Sequence, residues 1–309
     1  MLFRSDLAAY LDARRAEVDE ALFTYLPAAP SCPDVLSDGM RYSLSAGGKR
    51  LRPILCLAAA DAVGGDRRLA LPAACALEFI HTYSLVHDDL PAMDNDTLRR
   101  GKPTLHVVVG EGMAILAGDG LLTEAFALLA REPVSDDPTV IERKLRVVEV
   151  IAMGAGALGM VGGQAIDLQH LGAAAGPAAP ATMSATALED MHARKTGALL
   201  RASAVASAIM GGGTPDQVTA IDRAAAELGL AFQIVDDILD VEGHSATLGK
   251  TAGKDAAAGK PTYPHLYGLD RSRQLAADCL RRAARVLDEA ELAGSRLLDI
   301  GRWIVERSH

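Results

Sequence analysis

The sequence predicts an all-α fold, a single large helical bundle formed by one domain over residues 1–309. Three observations lead there. Apolar residues recur at helical spacing through most of the chain, and glycine and proline fall mostly at the ends of those segments. No strand-turn-strand run, internal repeat or linker interrupts them. Half of the residues are hydrophobic, enough to build a substantial core.

Residues 3–26 read as an amphipathic helix, ended by Pro27 and the loop to Pro33. Residues 34–46 read as a second helix, stopped by Gly47 and Gly48. Lys49-Arg50-Leu51-Arg52-Pro53 then forms a basic entry into a third helix that runs to about Val63. Backbone amides and the positive pole at a helix start, joined by Lys49 and Arg52, suit an anion, although a basic turn alone is as readily a solvated one. A further apolar run, with residues at 77, 79, 80, 83, 85 and 86, predicts a buried helix that delivers Asp88 and Asp89 at its C-terminal end.

That end carries the densest chemistry in the chain. Asp88, Asp89, Asp94 and Asp96 crowd into nine positions, and the negative pole of the helix makes them unfavourable neighbours without a cation. Clustered carboxylates are a hard-oxygen site suited to Mg2+ that also holds phosphate. Arg99, Arg100 and Lys102, which follow, suit the phosphate oxygens a metal leaves uncovered. An EF-hand is excluded, because counting from Asp94 puts Leu98 at the fifth loop position and Arg99 where glycine is required. Pro91 is expected to break the helix and let Asp94 swing back towards Asp88.

A plain acidic surface loop is the alternative, and a second cluster weighs against it. Asp236, Asp237 and Asp240 lie in a helix that starts near Pro215. Asp236 and Asp240 share one face, with no basic residue at helical spacing to compensate them.

The remaining elements follow in order. Residues 110–129 and 138–169 read as helices, and the second contains Gly154-Ala155-Gly156-Ala157-Leu158-Gly159, which fits a dinucleotide-binding fingerprint. No acidic residue follows about 20 positions later and no second strand closes a βαβ unit, so close packing of helices at small residues is the expectation. Residues 171–183 are a low-complexity Ala/Gly/Pro loop. From Ser184 a helix resumes and carries Lys195-Thr196-Gly197, where a lone lysine is ordinarily a solvated face residue. The Gly- and Lys-rich segment 241–264 reads as a mobile flap, and helices near 271–291 and 295–307 read as packing.

Composition narrows the function. A net charge of -9 argues against a general nucleic-acid binder, which needs a basic face. Cys32, Cys56, Cys75 and Cys279 show no metal or redox spacing and fit buried free thiols. Residues 1–15 lack an apolar signal core. The longest uncharged apolar stretch, 150–163, spans about 21 Å as helix, short of the ~30 Å of a bilayer core. A soluble cytoplasmic protein, without stable membrane insertion, is the expectation.

These motifs resemble those of the trans-prenyl diphosphate synthases, and most of all those of the bacterial farnesyl diphosphate synthases. Asp88-Asp89-x4-Asp94 is similar to the family's first aspartate-rich motif with two inserted residues, and Asp236-Asp237-x2-Asp240 to the second. Gly47-Gly48-Lys49-Arg50-Leu51-Arg52-Pro53, Lys195-Thr196-Gly197, Gly249-Lys250-Thr251 and Gly259-Lys260 match further blocks, in family order from about residue 37 to the C-terminus. The resemblance implies a bundle of the isoprenoid synthase type with a central active-site cavity, Mg2+ on Asp88, Asp94 and Asp236, and a homodimer. It places isopentenyl diphosphate on Gly48, Lys49 and Arg52 with His81 and Arg100. It places an allylic diphosphate on Arg99, Lys195, Lys250 and Lys260, with Thr196 and Gln233 lining the position of the cation. Asp88, Asp94, Asp236 and Lys195 are then the catalytic set.

The implied reaction is ionisation, condensation and elimination, with farnesyl diphosphate as product. Tyr83, about 7.5 Å below Asp88 along the helix, and Ser84 would set the cavity floor and so the chain length. The alternatives are a C10 or C20 synthase, or a non-catalytic partner subunit of the same fold. A carboxylate-bridged di-iron bundle would show paired Glu-x-x-His motifs, which are lacking.

Overall fold

The computed structural model describes residues 2–170, 183–242 and 262–307. Helices α1 (Leu2–Tyr25), α2 (Asp34–Ser45) and α3 (Leu51–Ala62) fall where the sequence predicts them. Helix α4 (Arg67–Asp88) begins earlier than its apolar run, because the Asp66 carboxylate caps it by accepting the Arg68 N–H. After α4 the chain forms a hairpin of two-residue strands, β1 (Leu98–Arg99) and β2 (Lys102–Pro103), which the sequence reading excluded. Its turn is Arg100-Gly101, both at positive φ (53° and 76°), as a tight hairpin requires. Strands of two residues leave no alternation to detect.

The short α5 (Leu105–Val109) leads into α6 (Glu111–Arg131). The predicted 138–169 helix is broken at Gly156 into α7 (Pro138–Ala155) and α8 (Met160–His170). Helix α9 (Ala185–His192) passes through a π-helical turn, Ala193–Gly197, into α10 (Ala198–Met210). Helix α11 (Pro215–Glu242), the short α12 (Tyr263–Tyr267), α13 (Leu269–Glu289) and α14 (Arg296–Glu306) complete the described chain.

The core has two compartments that share a wall. Helices α3 and α10 present opposite faces to each: Cys56, Leu57, Leu199 and Ile209 join the α1, α4, α6 and α7 side, while Leu55, Ala58, Leu200 and Ala204 join α9, α11, α13 and α14. The small residues that fit a nucleotide fingerprint belong to this packing, as expected, since a Cβ on Gly154 would lie 2.8 Å from that of Ala202 on α10. All four cysteines are buried free thiols, as expected.

Membrane length is less clear-cut than the 150–163 stretch suggests. Helix α4, helix α6 and residues 138–170 are each long and apolar enough to cross a bilayer, because their few charged residues interrupt the apolar runs without making the stretches polar. In α4 72% of that stretch is buried, against 39% and 33% in the other two.

Candidate active site

The two aspartate motifs are built alike: the second carboxylate of each is buried and holds a neighbouring segment. Asp89 takes Arg99 in a two-pronged ion pair, with Nε 2.9 Å from both carboxylate oxygens and Nη2 2.6 Å from Oδ1. Asp237 accepts the backbone N–H of Tyr263 at 2.9 Å. The first carboxylates, Asp88 and Asp236, are left less covered. As the sequence predicts, the chain turns back after Pro91, and the Asp94 N–H donates to the Asp88 carbonyl at 2.8 Å. Burial, opposed by Lys195 and reinforced by Asp94, pushes the Asp88 carboxyl up to about 6.

Lys195 and Thr196 sit in the π turn, an insertion that recurs at functional positions. Lys195 Nζ is 2.6 Å from Asp167 Oδ2 on α8, a buried carboxylate that sequence reading passed over. Helix α8 reaches the turn through Gly163, where a Cβ would lie 2.2 Å from the Lys195 backbone nitrogen. Gln164, beside it, has both side-chain amide atoms buried without a hydrogen-bond partner among the described residues. Gln233 on α11 is fixed by His192, the last residue of α9, with Nε2 2.8 Å from the imidazole Nδ1.

The basic loop is clamped from beneath. Arg50, at φ 48° and with a side chain 3% exposed, spans from Asp19 Oδ1 (2.8 Å) to Glu78 Oε1 (2.7 Å) and the Leu44 carbonyl (2.7 Å). Arg100 reaches the Gly47 carbonyl, Lys102 the Ser45 carbonyl and Tyr42 the Pro103 carbonyl, so hairpin and loop form one unit. Gly48 is needed there: its φ is 138° and a Cβ would lie 2.5 Å from Arg100 Nη1.

The cations gathered on this unit repel one another. Burial, with Arg100 adding to it, lowers Arg52 to about 10, and Arg52 Nε is buried without a hydrogen-bond partner among the described residues. Burial followed by Arg52 and Arg100 holds His81 neutral, well below its ordinary value. Burial and then Arg307 lower the Lys49 ammonium. A multiply charged anion relieves such a cluster.

Charge interactions join the parts into one site. Asp236 acts on both Arg52 and Lys49, Arg52 on Arg100 and His81, Arg99 on Asp88, and Lys195 on Asp88. The C-terminal helix contributes more than packing. Arg307, just beyond it, stacks 4.1 Å from the Phe232 ring centroid and donates to Asp236 Oδ1 at 2.9 Å. Asp236 thus has a basic partner, 71 residues away rather than at helical spacing.

Tyr83 is 7% exposed and meets the His87 ring edge-on at 5.7 Å, while Ser84 Oγ donates to the His81 carbonyl. Lys250, Lys260 and the Gly249 and Gly259 blocks lie outside the described residues, as do 171–182 and most of the predicted flap.

For a metal, the carboxylates match the donor chemistry of Mg2+. Among the described residues no three ligating side chains close round one point. Mg2+ ordinarily takes one or two carboxylates together with water and phosphate oxygens, which fits two separate aspartate motifs beside an anion cluster.

A family model described as polyprenyl synthetase matches residues 33–293. The chain belongs to the polyprenyl synthetase family. This synthetase is 45% identical to the farnesyl diphosphate synthase of Geobacillus stearothermophilus, over 97% of each chain. It is 48% identical to geranylgeranyl pyrophosphate synthase 11 of Arabidopsis thaliana, over 91% of its own length and 76% of that protein. The crystal structure of an FPP/GFPP synthase from Zymomonas mobilis superposes with a TM-score of 0.83 at 35% identity, covering 97% of this chain and 99% of that one. The synthetase is therefore an enzyme, a trans-prenyltransferase of isoprenoid biosynthesis, with an all-α fold.

Proposed function

We propose that this synthetase condenses isopentenyl diphosphate with dimethylallyl and then geranyl diphosphate, ending at farnesyl diphosphate. The observation that carries the reading is geometric: the hairpin ties the first aspartate motif to the basic loop, Arg99 pairing with Asp89 and Arg100 reaching the Gly47 carbonyl, while Arg307 pairs with Asp236 of the second motif. Lys49, Arg52 and Arg100, with the Gly48 backbone and neutral His81, bind the homoallylic diphosphate. Lys195 and Arg99 bind the allylic one, Arg99 sharing its guanidinium with Asp89. Mg2+ would be held by Asp88, Asp94 and Asp236, and when bound it neutralises the diphosphate that departs.

The allylic carbon–oxygen bond breaks heterolytically, its electron pair leaving with diphosphate. The isopentenyl double bond attacks the allylic cation, and the departed diphosphate takes the proton whose loss restores an alkene. Thr196 and Gln233 face the positive charge, and the apolar helices exclude water from it. The presence of both aspartate motifs together with the basic residues argues against an idle partner subunit.

Radio-chromatography of products from Mg2+, dimethylallyl diphosphate and labelled isopentenyl diphosphate tests this, with a C15 product expected and no product overturning it. The 48% identity to a geranylgeranyl synthase makes C20 the second reading, separated by the same assay.

The Lys195 assignment has its own test. Gly163→Ala pushes on the Lys195 backbone, so KM for the allylic diphosphate should rise about tenfold, equivalent to ~1.4 kcal/mol, with KM for isopentenyl diphosphate unchanged. Equal changes in both would separate Lys195 from the allylic site.

We also infer a single catalytic domain that works as a cytoplasmic homodimer. Leu145, Met153, Leu158 and Val161 form an exposed apolar face on and beside α7 and α8, and a second copy would cover it. Sedimentation should give a dimer for the native protein and a monomer for Leu145→Glu with Met153→Glu; a monomeric native protein would remove this part of the proposal.

A further inference from the structure

We infer that His192 is a positioning residue for catalysis: it fixes the direction of the Gln233 amide so that the carbonyl oxygen, rather than the NH2 group, faces the developing allylic cation. The inference rests on the proposed prenyl transfer and on Gln233 lining the cation.

The geometry is specific. An amide nitrogen can only donate, so the 2.8 Å contact from Gln233 Nε2 requires an unprotonated Nδ1 on His192. The imidazole proton is then on Nε2, the nitrogen that points at Asp237 Oδ2, 4.0 Å away. Histidine and aspartate are both buried, with side chains 10% and 8% exposed; at 4.0 Å the two are not hydrogen-bonded, and the carboxylate favours a proton on the facing Nε2 through its charge alone. Asp237 is itself held by the Tyr263 backbone N–H, and the Tyr263 ring lies 6.0 Å from the imidazole. The order is therefore Tyr263 backbone to Asp237 to His192 to Gln233, and each member removes one freedom from the next.

The location gives this order a catalytic meaning. His192 immediately precedes the π turn that carries Lys195 and Thr196, and Gln233 lies one turn before Asp237. With its NH2 group tied to His192, the amide presents its oxygen, the negative end of the dipole, in the opposite direction. During ionisation the allylic C–O bond releases its electron pair to diphosphate and the carbon fragment becomes positive. A preoriented carbonyl stabilises that state more than the neutral ground state, so its effect falls on kcat rather than on KM. A rotated amide would aim N–H groups at the cation.

The test compares His192→Leu, His192→Asn, Gln233→Leu and the double variant His192→Leu with Gln233→Leu, each as the purified full-length enzyme with Mg2+, dimethylallyl diphosphate and isopentenyl diphosphate. His192→Leu should lower kcat by about tenfold or more with both KM values within about threefold. His192→Asn, whose side-chain oxygen accepts the same N–H, should restore most of kcat. The double variant should be no slower than Gln233→Leu alone, since one residue acts through the other. If Gln233→Leu is slow while His192→Leu keeps wild-type kcat, or if the two losses multiply, the inference is wrong although Gln233 remains at the cation. If Gln233→Leu itself keeps wild-type kcat, the assignment of Gln233 fails and the inference falls with it. A His192→Leu protein that unfolds is distinguished by circular dichroism, and His192→Asn against Gln233→Leu then carries the comparison.

Discussion

Asp88→Asn should lower kcat by about two to three orders of magnitude and, in the same protein, raise the stability of the metal-free form. The two effects share one cause. Burial pushes the Asp88 carboxyl up to about 6, so the fold disfavours its ionised form. A carboxyl pKa raised above the unfolded value near 4 costs its full stability above about pH 6, and the cost is relieved as pH falls from about 6 to about 4. Metal-free native protein should thus gain this contribution as pH drops from about 6 towards 4, and the asparagine variant should lack that part of the gain. At pH 7 the variant should melt about 2–5 °C higher, corresponding to roughly 1–2 kcal/mol. Differential scanning calorimetry with a chelator reads the stability and a single-turnover assay the rate. A variant that is both slow and less stable would mean that Asp88 is a structural hydrogen-bonding residue rather than a carboxylate kept for a cation.

Tyr83→Ala should move the main product from C15 to C20 or longer without abolishing turnover. Tyr83 is almost fully covered, lies about 7.5 Å along α4 from Asp88, and is braced by His87, which in turn contacts the Ile115 carbonyl and fills the space beside Gly118. Removing the ring opens depth below the reacting carbon while leaving the charged groups in place. Truncating a buried aromatic side chain costs about 3–5 kcal/mol, so the variant should also melt lower. Product analysis over time separates the outcomes: C20 and longer chains support Tyr83 as the floor, and an unchanged C15 product assigns the floor to another residue.

Periodicity and motif spacing carried most of the fold and half of the site. Helices with apolar faces bounded by proline or glycine, such as α2 and α3, need only local sequence, and the two aspartate motifs announce themselves through clustered like charge. Three kinds of feature escaped. The break at Gly156 and the π turn at 193–197 leave helical periodicity nearly intact on either side, so they read as continuous helix. The hairpin at 98–103 is too short to alternate. The partners Asp167 of Lys195, Arg307 of Asp236 and His192 of Gln233 lie 28, 71 and 41 residues from the groups they hold, and no local spacing joins them. Arg99 was assigned to phosphate on its neighbourhood in sequence, whereas the fold also commits it to Asp89.

The Arg50 clamp has a kinetic consequence. A residue held at φ 48° by Asp19, Glu78 and two carbonyls fixes the Lys49-to-Arg52 segment around it before any diphosphate arrives. If the homoallylic diphosphate binds here as proposed, its capture requires no loop ordering, and its association rate should be governed by diffusion and by the field of the cationic cluster. Discrimination between substrates at this position accordingly resides in how slowly the right one leaves.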